Sequence, residues 1–302
     1  MLIRGCLALI VAAGLVGVSA RGQTPLAWKF KKDDAFRFET VSTLKQIMKL
    51  LDKDGKPEGK EIVQDIEYTI VVGYKVLDVT KDGDVLLEMK VESMKFKNSA
   101  AFAAAIVADE KIQNATLKIT LNAKREVTKL DGHDEFLKKM AGEDSNVLKT
   151  LQLVLPKEAL LKSAREAFGF LPDKPEKTWT REVNTPMGPL GDLAIKNTYT
   201  AEGAEQVDGK TLEKITYDSA ISYSPPNAQA PGVAQSAFRV VKGELKRDDK
   251  NKGTIQFDAA AGRLVTMNQQ IKLKGKLSLL VQGSRIDAEV DQDQKTKTTL
   301  VK

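Results

Sequence analysis

Asp287, Glu289, Asp291 and Asp293 stand at alternate positions near the C-terminus. Carboxylates at that spacing share one face of a strand. Such a comb is the right chemistry for a divalent cation or for an acid and base pair. The same stretch supports another account. Gln282-Gly283-Ser284-Arg285 predicts a two-residue turn at Gly283-Ser284, with glycine supplying the positive φ of a type II′ form. That register sets Lys276 opposite Asp291, Lys274 opposite Asp293 and Ser278 opposite Glu289. Ile271, Leu273, Leu277, Leu279 and Val281 then meet Ile286, Ala288 and Val290 on the other face. Opposite charges across a ladder contribute about 0.2–1 kcal/mol each, while a slip of one residue turns the whole charged row inward. The salt-bridge ladder is the reading adopted, and no metal ligand is assigned.

His133, the only histidine, lies among Asp131, Gly132 and Asp134 at the entry to a helical region. A catalytic histidine needs a nucleophile and an orienting group, and no Gly-x-Ser-x-Gly elbow is present. Zinc sites draw on several His or Cys ligands, and the single cysteine, Cys6, precedes the main body of the chain. Asp52-Lys53-Asp54-Gly55 and Asp82-Gly83-Asp84 resemble fragments of calcium loops, but the further acids and terminal glutamate of an EF-hand are missing. Both read as turns. No glycine-rich phosphate loop joins a strand to a helix. Paired carboxylates for glycoside cleavage remain open, although aromatic residues, at 6%, offer few sugar platforms. The expectation is a protein that is not an enzyme, with no catalytic residues, no cofactor and unknown ligand-binding residues; a carboxylate-only enzyme ranks third among the readings.

The chain opens with an address. Arg4 precedes an uncharged apolar run from Gly5 to Val18, and Val18-Ser19-Ala20 presents the small residues that a signal peptidase reads, so cleavage before Arg21 is expected. The run is shorter than the roughly 20 apolar residues that span a bilayer. No stable transmembrane anchor is therefore expected after cleavage. Cys6 sits near the start of the run rather than its end, which argues against lipid attachment. The expected location is exported, periplasmic or extracellular. Loss of Arg4 lowers the formal charge from +6 to +5, and the lysines are scattered among acids. A nucleic-acid partner would call for a clustered basic face, so none is expected; attraction to anionic headgroups or wall polymers stays open.

The rest of the 302 residues, 42% hydrophobic and 29% charged, is an ordinary globular balance. Period-two alternation predicts strands over Trp28 to Leu51, Ile62 to Val79 and Asp84 to Phe96, with a type I′ hairpin at Lys81-Asp82-Gly83. Ala100 to Ala108 predicts a short helix, and Ala115 to Leu121 and Glu126 to Leu130 return to strands. Apolar residues three and four apart predict helices over Asp134 to Ala141 and Asn146 to Phe168, the latter broken at Pro156 in the first turn of a second helix. Strands resume at Trp179 to Thr185, Leu193 to Thr200 and Thr211 to Tyr223. A second Asp-Gly turn falls at Asp208-Gly209, and Ser224 to Gly232 is a proline-rich loop. Gly253 to Lys302 is strand throughout.

The two halves look alike. Thr116-Leu117-Lys118-Ile119 then Arg125-Glu126-Val127-Thr128 matches Thr254-Ile255-Gln256-Phe257 then Arg263-Leu264-Val265-Thr266. A diverged duplication and a chance likeness between strands both account for it. The division expected is a signal peptide at 1–20, a first antiparallel β unit at 21–130, a helical connector at 131–172 and a second β unit at 173–302.

Trp28-Lys29-Phe30-Lys31-Lys32-Asp33, Phe36-Arg37-Phe38-Glu39, the strand through Thr43, Lys45, Gln46 and Met48, and Phe257-Asp258 to Gly262-Arg263-Leu264 resemble an uncharacterised family of exported proteins of planctomycete-type bacteria. The Asp-Gly hairpin followed by Val91-Glu92-Ser93 belongs to the same pattern. The resemblance carries no catalytic residues with it. Long antiparallel strands with intervening helices also look like the half-barrel of periplasmic lipoprotein carriers, an analogy of architecture only. The expected fold is α+β, with curved sheets or a half-barrel and helices packed on the sheet. Two roles follow as expectations. One is a non-catalytic envelope protein with a lipid or other hydrophobic or amphipathic ligand in the curved sheet. The other is a structural or interaction module that meets an envelope protein or wall polymer and takes no small molecule. Whether the helices fill the concavity or leave it open stays undecided at this level.

Overall fold

A computed structural model of the chain describes residues 25–97, 115–186, 191–229, 233, 238–247 and 251–301. The expected leader and the expected helix at Ala100 to Ala108 lie outside the described residues. A first run of strands comprises β1 (Ala35–Leu51), β2 (Ile62–Val79), β3 (Val85–Lys97), β4 (Thr116–Leu121) and β5 (Val127–Asp131). Helices α1 (His133–Ala141), α2 (Ser145–Val154) and α3 (Lys157–Gly169) follow. The second run comprises β6 (Thr178–Pro186), β7 (Asp192–Val207), β8 (Lys210–Ser224), β9 (Phe238–Arg247), β10 (Lys252–Asp258), β11 (Arg263–Val281) and β12 (Ser284–Val301).

All these strands join one antiparallel, unclosed curved sheet in the order β5-β4-β3-β2-β1-β12-β11-β10-β8-β7-β6, with β9 on the second half of β11. Each run is a meander, and the first and last strands zip together at the centre, from Arg37 opposite Val301 to Leu51 opposite Asp287. Strands β9 and β10 lie end to end beside β11. Asn251 spans the gap between them: its side-chain oxygen accepts from Lys272 N, and its carbonyl accepts from Ser219 N on β8. The outermost strands, β5 and β6, both pack against α3, so the helix bridges the two sheet edges.

The turns set the register. Asp208-Gly209 has positive φ at both residues, 48° and 77°, as a type I′ turn requires. At Lys81-Asp82-Gly83 only Gly83 is left-handed; Gly83 N donates to Thr80 O, and Thr80 N to Asp84 O, giving a wider loop than the expected two-residue turn. The last hairpin turns at Gln282-Gly283, φ 49° and 85°, not at Gly283-Ser284. Both residues are left-handed, so the turn is type I′ rather than II′, and Lys276 faces Glu289 while Lys274 faces Asp291.

Helix α2 is capped by Asp144, whose carboxylate accepts from Asn146 N and Val147 N. Pro156 is the N-cap of α3, one position before the expected first turn. Phe136, Leu137 and Met140 of α1 and Leu161, Ala164 and Phe168 of α3 are buried. They meet Trp28, Phe36 and Phe257 in the main core at one end of the sheet. Each such large side chain contributes roughly 1.5–3 kcal/mol by leaving water.

Candidate ligand-binding face

Directly opposed residues in an antiparallel pair share a face, so the register sorts the sheet into two surfaces. On β1 the inner face runs Phe36, Phe38, Thr40, Ser42, Leu44, Gln46, Met48, Leu50. Its partners are the even positions of β2 from Ile62 to Tyr74, the even positions of β12 from Ile286 to Leu300, and the odd positions of β11 from Met267 to Leu279. Across these four strands the inner face carries no charged side chain. Arg37, Lys45 and Lys49 of β1 fall on the outer face with the acids of β12.

The inner face has three zones. Near the helices it is filled: the Trp28 ring packs on Phe30, Phe168, Phe170 and Phe257 with centroids 5.4–6.0 Å apart, and Phe168 meets Tyr74 at 5.7 Å. Burial in this cluster pushes the Tyr74 phenol up to about 12. The concavity is thus packed where the helices lie. Their backbones lie closest to β4, β5 and β6, and Phe168 reaches inward from α3 to Tyr74 of β2.

The middle zone is an uncharged polar belt. Thr40 shares a hydrogen bond with Thr298, and Ser42 with Thr296, each at 3.0 Å. Gln294 reaches the Ser42 hydroxyl, and Gln46 donates to Gln292, each at 3.4 Å. Ser42 is fully buried, and its hydroxyl is satisfied as burial demands.

Leu44 interrupts the belt between Ser42 and Gln46, and beyond Gln46 the face turns apolar again. Leu44, Met48, Leu50 and Ile66 are half-buried, Leu273, Ala288 and Val290 are buried, and Ile62 is 45% exposed. None of these belongs to the main core. Apolar walls around a few oriented hydroxyl and amide groups are the usual make-up of a small-molecule site.

The residues singled out for chemistry go elsewhere. His133 places Nδ1 3.0 Å from the Asp134 carboxylate and Nε2 2.9 Å from Leu155 O, tying the start of α1 to the end of α2. The acidic comb forms a ladder on the outer face: Lys272–Asp293 at 3.0 Å, Lys274–Asp291 at 2.9 Å and Lys276–Glu289 at 3.2 Å. Asp287 accepts from Ser278 Oγ and Arg285 Nε. Asp52 caps its own loop by accepting from Asp54 N and Lys56 N. Among the described residues no three His, Cys, Asp or Glu side chains gather as a metal site would need. A groove of about 1140 Å³ beside α3 holds Arg125, Arg165 and Arg181. All three are bonded to backbone carbonyls: Arg125 to Gly83, Arg165 to Val127, and Arg181 to Gly169 and Leu171. They clamp the helices and loops to the sheet.

No family model matches the chain, and no curated protein does. The resemblance to exported planctomycete-type proteins therefore rests on sequence pattern alone. Among solved structures, one of lipid–protein interactions in lipovitellin is similar over 91% of this chain at 8% identity and a TM-score of 0.43. This chain spans only 26% of lipovitellin's length. A DUF1329 family protein from Desulfovibrio piger aligns over 84% of this chain and 83% of its own, at 11% identity and a TM-score of 0.12. OpdQ of Pseudomonas aeruginosa aligns over 89% and 98%, at 7% identity and a TM-score of 0.21. None of these likenesses is strong enough to carry an argument. No helix among the described residues is long and apolar enough to cross a membrane.

Proposed function

We propose that this chain is an exported, non-catalytic envelope protein that holds a hydrophobic or amphipathic ligand against the distal half of its inner sheet face. One observation carries the reading: four adjacent strands present an uncharged face whose apolar end, around Leu44, Met48 and Leu50, lies beyond the reach of the main core. Its partly exposed side chains, Leu44, Met48, Leu50 and Ile62, gain by leaving water. The Thr40, Ser42 and Gln46 belt supplies hydroxyl and amide groups for an uncharged polar part of the ligand. The absence of charge favours an acyl or similar chain over an ion.

The test is native mass spectrometry of the purified protein, followed by solvent extraction and titration with a fluorescent fatty-acyl probe. The expected result is an extractable adduct, or saturable probe binding that Leu44→Lys and Met48→Lys weaken by about tenfold or more, since each places a charge on an apolar surface. Val41→Lys on the outer face serves as the control and leaves binding unchanged. A protein free of adduct that also fails to bind the probe overturns the reading.

A further inference from the structure

The outer face is electrostatically split along its length. In the half that carries β9, four lysines are matched: Lys272, Lys274 and Lys276 meet Asp293, Asp291 and Glu289, and Lys49 meets Glu61 at 2.8 Å. In the half that carries β10, Lys214 reaches Glu205 at 3.9 Å, but three other lysines are unmatched. Lys295 and Lys297 of β12 and Lys252 of β10 are exposed, and none has an ion-pair partner within 4.0 Å among the described residues. All three line a trough of about 790 Å³ on the sheet surface.

The register explains what lies between them. Lys297 is opposite Asn268 and Lys295 opposite Gln270 on β11; Gln270 is opposite Lys252, and Asn268 opposite Thr254, on β10. The floor is thus a grid of carboxamides and hydroxyls, ringed by three ammonium groups. Two lysines at alternate positions of a strand stand about 7 Å apart, and β10 lies about 10 Å from β12 across β11. Asp218 of β8, directly opposite Lys252 in the register but not within 4.0 Å of its ammonium, is the acidic residue of the lining.

We infer that this trough binds an anionic polysaccharide, a glycan chain bearing carboxylate or phosphate groups. Charge complementarity selects an anion, and the amide and hydroxyl floor suits a hydroxyl-rich polymer. The surface lacks what the other anions need. Its one aromatic lining residue, Tyr217, has its ring buried on the inner face against Tyr199, so bases find no stacking platform. Val41 is the only aliphatic side chain of the lining, too little to enter an acyl layer. The inference is independent of the inner-face ligand, because it uses the opposite surface.

The experiment measures binding of the intact protein to polygalacturonate by calorimetry, with dextran as the neutral polymer. The expected result is binding to polygalacturonate but not dextran, weakening as NaCl is raised. The triple variant Lys252→Gln, Lys295→Gln, Lys297→Gln loses affinity by about tenfold or more. The variant Lys272→Gln, Lys274→Gln, Lys276→Gln removes the same charge from the matched half and keeps affinity within about twofold, as expected where only local charge matters. Equal losses in the two variants overturn the inference, as does no binding to polygalacturonate. Equal or tighter binding to vesicles of phosphatidylcholine with phosphatidylglycerol, or to oligodeoxythymidylate, overturns it too. All six lysines are on the outer face rather than in the core, and circular dichroism checks folding of each variant.

Discussion

Trp28 donates its indole Nε1 hydrogen to Phe168 O, 140 residues away, at 2.9 Å. The second tryptophan, Trp179, does the same to Phe170 O at 2.7 Å. Carbonyls at a helix C-terminus have no partner within the helix. These two rings therefore latch the end of α3 to the starts of the two meanders. Trp28→Phe keeps the ring but strands a buried carbonyl, and is expected to cost about 1–3 kcal/mol. Urea unfolding followed by the fluorescence of Trp179 measures this. An unchanged midpoint contradicts the latch.

Burial holds the phenols of Tyr74 and Tyr199 up to about 12, and moves that of Tyr217 the same way. Below the ordinary tyrosine value of 10.0 both folded and unfolded chains keep these protons, so they add no pH dependence. Between about 10 and about 12 the unfolded chain releases them and the folded chain does not. Stability is then expected to fall as pH rises, by about 1.4 kcal/mol per pH unit for each tyrosine. Phenolate absorbance and denaturant midpoints, recorded across that window, check it. Ordinary titration of Tyr74 and Tyr199 in the intact fold contradicts it.

Two ion pairs of similar length are expected to differ sharply in worth. Arg263 Nη2 lies 2.8 Å from Asp34 with only 12% of the arginine side chain exposed, and its guanidinium sits over Phe30 and Phe36 at 5.1 and 4.9 Å. Lys274–Asp291 is 2.9 Å long but 62% and 47% exposed. Arg263→Ala is expected to cost about 2 kcal/mol or more through the lost charged hydrogen bond and ring contacts. Asp291→Asn is expected to cost less than about 1 kcal/mol. Equal shifts in thermal midpoint refute the distinction.

Gly275 of β11 has no room for a side chain: a Cβ there would run into Glu244 O and the backbone at Leu245. Gly275→Ala is expected to push β9 off β11 while leaving the helix end of the sheet intact. Hydrogen exchange of residues 239–246 reports the first effect and the near-ultraviolet signal of the Trp28 cluster the second. Unchanged protection along β9 contradicts the close approach.

Local structure was largely legible in the residues. Ile62 to Val79 emerges as a strand with the ends that alternation predicts, and Asp208-Gly209 turns as its chemistry requires. The last hairpin shows where such reasoning runs out. The expected and observed registers differ by two positions, so every side chain stays on its face and Lys276 meets an acid in either one. Charge sorting cannot separate them; only the willingness of Gln282 to adopt φ 49° does. Strand β9 has no signal of comparable strength, and the seam between β1 and β12 joins residues more than 230 apart with nothing local to announce it. Nothing in the sequence marks Thr40, Ser42 and Gln46 as a belt, although alternation puts them on the side of Phe36 and Phe38. They become one only once β12 supplies matching Thr298, Thr296 and Gln292. The unmatched lysines were equally hidden, because Lys252 and Lys295 become neighbours only through β11.

The pairing of β1 with β12 also governs the order of events in folding. Among the described strands β12 is the last in sequence, and until it pairs with β1 across more than 230 residues, β1 offers an unsatisfied edge in the middle of the sheet. Such distant closure is slow. Until that seam closes, β1 and β12 each leave an edge unpaired, an arrangement in which strand exchange between neighbouring copies competes with closure within one chain.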